Sequence, residues 1–317
     1  MARNGSAGVL AAPARRLRDG VAYWGASPLR RRRILTAYAF MAPSLLVIAV
    51  FLVWPMIRAL QVSFMDYSVL GGSEWIGLEN YRNLLSDPAF RNALGNTLYY
   101  AAITTPASVG LALGLALLLN QALPARGFFR GAIFLPVVTS LAIVAIAWTF
   151  LLDPDIGLIN YWLAKLGVHS GGWLRDPQWA MPAVILVGIW KNVGFYMVMY
   201  LAGLQSIPRE FYEAASVDGA TAWQRFRRIT WPLLANTTMF VFIIAAIAAL
   251  QAFDQIYVMT RGGPFFQTET LVMQIYRLGF TEFEMGYAAA ISWVLVLLIF
   301  VLSLLQVFYF SRRVVRY

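Results

Sequence analysis

The chain has 317 residues, of which 60% are hydrophobic and only 13% charged, with a mean hydropathy of +0.65. A soluble domain is about half apolar and a quarter charged, so the composition is that of an integral membrane protein. Zero cysteines exclude disulfides, thiolate metal sites and cysteine nucleophiles, and a single histidine, His169, excludes a histidine-based metal cluster. The net charge of +10 does not point to nucleic acid, because the basic residues crowd at span ends, where anionic lipid and topology explain them.

Residues 1–29 are rich in Ala, Gly, Arg and Pro without periodicity, which predicts a disordered basic tail reaching to about residue 33. About 20 apolar residues cross a bilayer. Six stretches meet that length, near 34–57, 94–120, 127–151, 180–204, 233–257 and 287–310. The first follows RRRR at 30–33 and is too long for a cleaved secretory segment, so it reads as a retained anchor in a unit spanning 34–93. The other five form a core over 94–310, with a loop at 205–232 and a short tail at 311–317.

Lys and Arg fix the orientation. With the N-terminus in the cytoplasm, 17 basic residues lie inside and 7 outside, with Lys191 left within a span. Both termini are therefore expected in the cytoplasm of a multi-pass cell-membrane protein. Outside, LENYRNLL places Leu78, Tyr81, Leu84 and Leu85 at helical spacing, which predicts a short amphipathic surface helix. Asp153 and Asp155 read as a solvated turn, and Gly110 with Gly114 as a GxxxG packing face.

The loop EAASVDGATAWQRFRRITWP, residues 213–232, is polar between two apolar spans. Pro208 suits a first helical position, and Glu210 suits the first turn. Gly219 is a helix stop, and Thr221 with Gln224 forms a capping box that starts a second helix. Pro232 is expected to push Trp231 out of helical geometry. The product is two short helices joined by Asp218, Gly219 and Ala220. Two uses fit: lying on the inner leaflet with Trp223 and Phe226 buried, or filling a groove on a cytoplasmic partner, with Glu213 fixing the pose.

Charge inside a span marks a pathway or a pair. Lys191 falls near the midplane beside Trp190, Asn192, Phe195 and Tyr196, a set able to stack on sugar rings and donate to hydroxyls. The alternative is that Lys191 bridges to a backbone carbonyl or a carboxylate of a neighbouring span. Asp254 lies about 20 residues, or about 30 Å, from the cytoplasmic start of its span. There it is either a gate or receptor contact near the outer face, or a solvated interfacial acid, with Gln251 a turn below it. The turn Arg261-Gly262-Gly263-Pro264 is outside, as a receptor contact or a plain loop.

No phosphate-binding GxxxxGK[ST] loop, HExxH or GxSxG occurs, so catalysis is not expected of this chain. Nor do the spans show the coupling carboxylates or paired broken helices of a stand-alone secondary transporter. Glu213-Ala214-Ala215, then Gly219, Ile229 and Pro232, fit EAA-x3-G-x9-I-x-L-P, with Trp231 in place of the usual leucine. This resembles the coupling motif of inner-membrane permease subunits of binding-protein-dependent ABC importers. FLPVVTS, IWKNVGF, FDQIYVMTRGGP and IYRLGF resemble the branch importing sugars and glycerol phosphate.

The resemblance implies an all-α, six-helix type I permease fold with a cytoplasmic EAA helix pair. It implies a second homologous permease, an ATPase dimer that uses ATP and Mg²⁺, and an extracytoplasmic solute-binding protein, with no cofactor on this chain. The cargo expected is a sugar or oligosaccharide, or alternatively glycerol 3-phosphate or its diesters.

Overall fold

A computed structural model of the chain describes residues 28–69, 71–122, 124–167 and 171–311. The expected tail over 1–27, His169 and the last arginines lie outside them. Two compact units divide at Ala59 and Leu60. In the first, α1 (Pro28–Ile48) runs through a π-turn (Ala49–Val53) into α2 (Trp54–Val62). Residues 28–33 are therefore helical and not part of a tail. No residue in the apolar run Arg31–Val62 is buried, as suits a helix whose neighbours are lipid or another chain.

In the second unit a small hairpin, β1 (Met65–Tyr67) with β2 (Ser73–Trp75), precedes α3 (Glu79–Ser86). The predicted amphipathic helix is present, but its inward face differs. Leu78 and Leu85 are exposed, whereas Asn80 is buried and donates to the carbonyls of Ser63 and Met65, both at 3.0 Å. Hydropathy spacing missed a polar residue that satisfies freed backbone.

The membrane helices are α4 (Pro88–Leu119), α5 (Arg126–Val138), α6 (Leu141–Leu151), α8 (Ala180–Ser206), α12 (Ala235–Leu250) with α13 (Asp254–Met259), and α15 (Met285–Ser311). A short α7 (Leu158–Lys165) follows α6, and α14 (Leu271–Tyr276) precedes α15. Among the described residues, five runs are long and apolar enough to span a bilayer. The sixth expected span, 127–151, is not one rod: α5 and α6 meet at 99°. At about 1.5 Å per residue neither half spans the roughly 30 Å hydrocarbon core.

The break at Thr139 and Ser140 has a chemical cause. Ser and Thr side chains compete with the helix ladder for backbone partners. The Thr139 hydroxyl donates to Leu135 O at 3.2 Å, and the backbone of both residues is extended. A second interruption divides the fifth span, where Gln251 and Phe253 leave helical geometry between α12 and α13. Interrupted helices are thus present, contrary to the sequence reading. Non-helical backbone is tolerated at membrane depth where protein satisfies it. Here Thr270 Oγ1 donates to Ala252 O at 3.1 Å, and Lys191 Nζ donates to Val137 O at 2.9 Å.

Two of three buried clusters among the described residues join the membrane helices that flank the site. One gathers Tyr100, Val144, Val184, Val187, Ala249 and Ile256; the other gathers Ala112, Ala116, Met197, Tyr200, Leu234 and Val241. Small residues let these helices approach, and close packing stands in for the hydrophobic drive that lipid removes. The predicted GxxxG has no part in this: a Cβ at Gly110 or Gly114 would meet nothing within 4 Å. Both glycines are on the exposed side of α4, while Val109, Ala112 and Ala116 face inward.

Candidate functional site

Between α8 and α12 the chain forms an elbow. Helix α9 (Arg209–Val217) is followed by α10 (Ala222–Arg225), a π-turn (Phe226–Thr230) and α11 (Trp231–Leu233). Gly219 has φ +73°, a left-handed conformation that costs a side chain about 1 kcal/mol or more. Around it, Ala220 N donates to Ala215 O at 2.9 Å and Gly219 N to Ser216 O at 3.1 Å. These are the two bonds of a Schellman stop, which satisfies carbonyls left by the end of α9. The spacing between Ala215 and Gly219 in the motif is therefore a backbone requirement.

The restart is capped as expected. Thr221 N donates to Gln224 Oε1 at 2.8 Å, and Gln224 N donates to Thr221 Oγ1 at 3.3 Å. Tyr212 and Thr230 share a hydrogen bond at 3.0 Å, and Arg225 reaches Ser216 Oγ at 3.1 Å, closing the angle between the limbs.

Two local expectations fail. Pro208 is the residue before the helix and not its first turn, because its ψ is 135°. Trp231 remains helical, with φ −61° and ψ −47°. Pro232 lacks an N–H and crowds the carbonyl four residues back. The preceding π-turn accommodates this, with Trp231 N bonding Phe226 O five residues back.

On the elbow surface, Glu213, Ala214, Asp218 and Gly219 are exposed, while Ala215, Ala220, Ile229 and Pro232 are half-buried. Phe211, Val217, Trp223 and Trp231 are exposed around them. Trp223 stacks on Phe226 at 5.5 Å between ring centres. Two acidic residues therefore share this surface with small and aromatic ones, a composition suited to a packed contact.

A second feature lies where the two buried clusters meet. A cavity of about 340 Å³ is bounded by Tyr100, Thr104 and Ser108 of α4, Asn192 and Tyr196 of α8, and the interruption from Gln251 to Gln255. Gln255 is buried and donates from Nε2 to the Tyr100 hydroxyl at 2.8 Å. A Cβ at Gly188 would fall 2.2 Å from that hydroxyl, so the glycine is what allows Tyr100 to reach across. Asn192 Nδ2 returns to its own helix, bonding Gly188 O at 3.0 Å. Ser108 is 1% exposed, and its hydroxyl has no hydrogen-bond partner among the described residues. A buried hydroxyl left unpaired costs about 1–3 kcal/mol.

Of the residues predicted for a path, Asn192, Tyr196, Gln251 and Asp254 line this cavity. Asp254 therefore shares a wall with Asn192 and Tyr196, because the interruption turns the chain there. Trp190, Lys191 and Phe195 are not among the lining residues. Trp190 meets Trp148 edge-on at 5.5 Å, and Phe195 is exposed. Lys191 takes the bridging role, since its bond to Val137 O caps the end of α5.

Sequence reasoning missed Tyr100, Thr104, Ser108 and Gln255. The first three recur every four residues, a polar stripe in an apolar helix that periodicity is able to reveal.

Beyond the cavity, Phe253 begins a series of touching rings. Tyr257 is stacked on it at 5.4 Å, Tyr276 lies 5.1 Å from Tyr257, and Phe280 is stacked on Tyr276 at 5.5 Å. Nearby, buried Glu269 accepts from Arg277 Nε at 2.7 Å, and Arg277 also bonds Glu282. Burial alone lowers the Arg277 pKa, but the hydrogen bonds and charges of Glu269 and Glu282 outweigh it and hold the guanidinium above its usual value. At the end of α6 the Asp153 carboxylate accepts from Asp155 N and Ile156 N, which makes the expected turn.

Residues 108–316 match the family model of the binding-protein-dependent transport system inner membrane component. The chain belongs to this family. It is similar to the lactose transport system permease protein LacF of Rhizobium radiobacter, at 39% identity over 294 residues covering 90% of this chain and 97% of that one. The sn-glycerol-3-phosphate transport system permease protein UgpA of Agrobacterium fabrum is 34% identical over 279 residues, covering 87% and 95%.

Among solved structures, one chain of a bacterial ABC transporter involved in the import of the acidic polysaccharide alginate superposes with a TM-score of 0.79. It is 29% identical, over 89% of this chain and 96% of that one. The protein is thus a multi-pass inner-membrane permease of the ABC importer type, and the elbow and the cavity both fall largely within the matched residues.

Proposed function

We propose that this permease pairs with a second homologous permease to form the translocation path for a sugar or oligosaccharide delivered by a soluble binding protein. One observation carries the reading: the cavity combines hydroxyl and amide groups with the rings of Tyr100, Tyr196 and Phe253. Sugars are recognised by that combination, ring face on apolar face and hydroxyls on polar groups. The lactose permease among the relatives supports the same class.

In this proposal the elbow, within the loop 205–232, docks on an ATPase dimer that consumes ATP with Mg²⁺. The permease itself is non-catalytic and binds no cofactor. Glu213, Ala214, Ala215, Asp218, Gly219 and Ala220 form the contact, and Ile229 and Pro232 hold the second limb in place. Both termini and the elbow are cytoplasmic. ATP binding then moves the cavity between inward and outward access through the elbow.

The test is Glu213→Lys in the complete transporter. Membrane insertion and assembly remain, while binding-protein-stimulated ATP hydrolysis and uptake fall by roughly tenfold or more, the size of an ordinary coupling free energy. Normal uptake by an assembled Glu213→Lys transporter removes the elbow from coupling.

A further inference from the structure

We infer that the second limb of the elbow binds an anionic phospholipid of the inner leaflet, with Arg227 and Arg228 on its phosphate and Trp223 and Trp231 among the headgroups. The inference rests on the cytoplasmic placement of the elbow proposed above. Its first support is position. From Ala222 the backbone stays helical through the π-turn to Leu233, and the span α12 begins at Ala235. The seven residues from Arg228 to Ala235 make about 10 Å of helix. That distance sets the arginine in the headgroup layer beside the hydrocarbon core.

The second support is charge. The two limbs are oppositely polarised. Glu210, Glu213 and Asp218 outnumber Arg209 along and just after α9, and all four are exposed. Between Asp218 and Asp254 no acidic residue occurs. Arg225 is taken up by Ser216 Oγ at 3.1 Å. Arg227 and Arg228 are exposed, and among the described residues neither makes an ion pair or a side-chain hydrogen bond. Adjacent guanidiniums without a carboxylate suit a phosphate, whose oxygens accept from their planar forks.

The third support is the aromatic row. Trp223, Arg227 and Trp231 recur every four residues, and all three are exposed. Phe226 lies between the indoles, 5.5 Å from the ring centre of Trp223 and 6.2 Å from that of Trp231. Tryptophan beside arginine is the composition of a membrane–water interface, with the ring among headgroups and the cation at the phosphate. An anionic surface favours each such cation by roughly fivefold. The same surface repels the acidic limb, so the lipid turns Glu213 toward the cytoplasm.

The chain has no cysteine, so Trp231→Cys supplies its single reporter thiol. It carries an NBD fluorophore in the complete transporter, with partner subunits free of reactive thiols, in phosphatidylcholine nanodiscs. Phosphatidylglycerol and phosphatidylcholine bearing the same nitroxide next to the headgroup are compared as quenchers.

Half-quenching is expected at roughly tenfold less labelled phosphatidylglycerol than labelled phosphatidylcholine. Arg227→Gln with Arg228→Gln removes the difference, and Arg227→Lys with Arg228→Lys keeps it. If the double glutamine variant does not assemble, Arg228→Gln alone lowers the preference by roughly fivefold. The same fluorophore on Val217→Cys, 88% exposed on the acidic limb, shows no preference. Absence of quenching by either lipid means that another subunit covers this face, and it overturns the inference. Equal quenching, or a preference that survives both glutamines, overturns it too.

The underlying readings fail separately. An impermeant maleimide added to intact cells leaves Trp231→Cys unlabelled; labelling there overturns the cytoplasmic placement and the inner-leaflet site with it. Full uptake by Glu213→Lys with the lipid preference intact supports the lipid site and counts against coupling through the elbow.

Discussion

The elbow and the cavity are built by opposite means. Every bond that shapes the elbow joins residues within 18 positions of each other: the Schellman stop, the capping box, Arg225 on Ser216 and Tyr212 on Thr230. The cavity joins residues far apart in the chain, as when Gln255 bonds Tyr100 across 155 positions. One region is specified by backbone chemistry at fixed spacing and the other by how separate helices pack. Substitutions in the two therefore have different signatures: coupling in the elbow, solute handling and helix packing in the cavity.

The largest effect expected is at Gly219. Gly219→Asp places a side chain at φ +73° on the exposed turn, and uptake falls by well over tenfold while the complex still assembles. Equal loss of assembly and uptake, measured by co-purification of the subunits, would blur the comparison by making the elbow a folding element. Next comes Lys191→Met, which leaves the Val137 carbonyl unpaired at a helix break. Thermal unfolding of the purified complex should show a loss of about 1–3 kcal/mol, with the KM for uptake unchanged. A raised KM with unchanged stability would return Lys191 to the cavity wall.

Smaller effects test locality itself. Tyr100→Phe and Gln255→Leu should each cost about 1 kcal/mol in the same unfolding assay, and the double variant little more than one of them. Additive costs would mean that the long-range bond does not hold the wall. Thr221→Ala is expected to cost about 1 kcal/mol, the ordinary value of a cap. Its signature is reduced ATPase stimulation at unchanged solute KM.

This difference also governs what the sequence revealed. The angle of the elbow was readable because glycine stops and capping boxes have short-range signatures. Even there Trp231 was misjudged, since a π-turn absorbs Pro232 and leaves no mark in a propensity argument. The six apolar stretches were readable by length, but the 99° bend between α5 and α6 was not. It depends on Thr139 and Lys191 donating to carbonyls that the ladder would otherwise fill.

At the site, Asn192, Tyr196, Gln251 and Asp254 were identified by polarity within spans. Gln255 escaped because its meaning lies in Tyr100, on another helix. Lys191 stood between two readings for the complementary reason: a buried charge announces that it has a partner, and only packing says which.

The most direct measurement separates the cavity from the elbow within one assay. Ser108→Phe fills the cavity, and it is compared with unmodified transporter in proteoliposomes, following solute uptake and binding-protein-stimulated ATP hydrolysis together. If the cavity is the translocation site, uptake falls by roughly tenfold or more while stimulated hydrolysis persists, the reverse of the joint loss expected for Gly219→Asp. Undiminished uptake through a filled cavity would contradict that assignment.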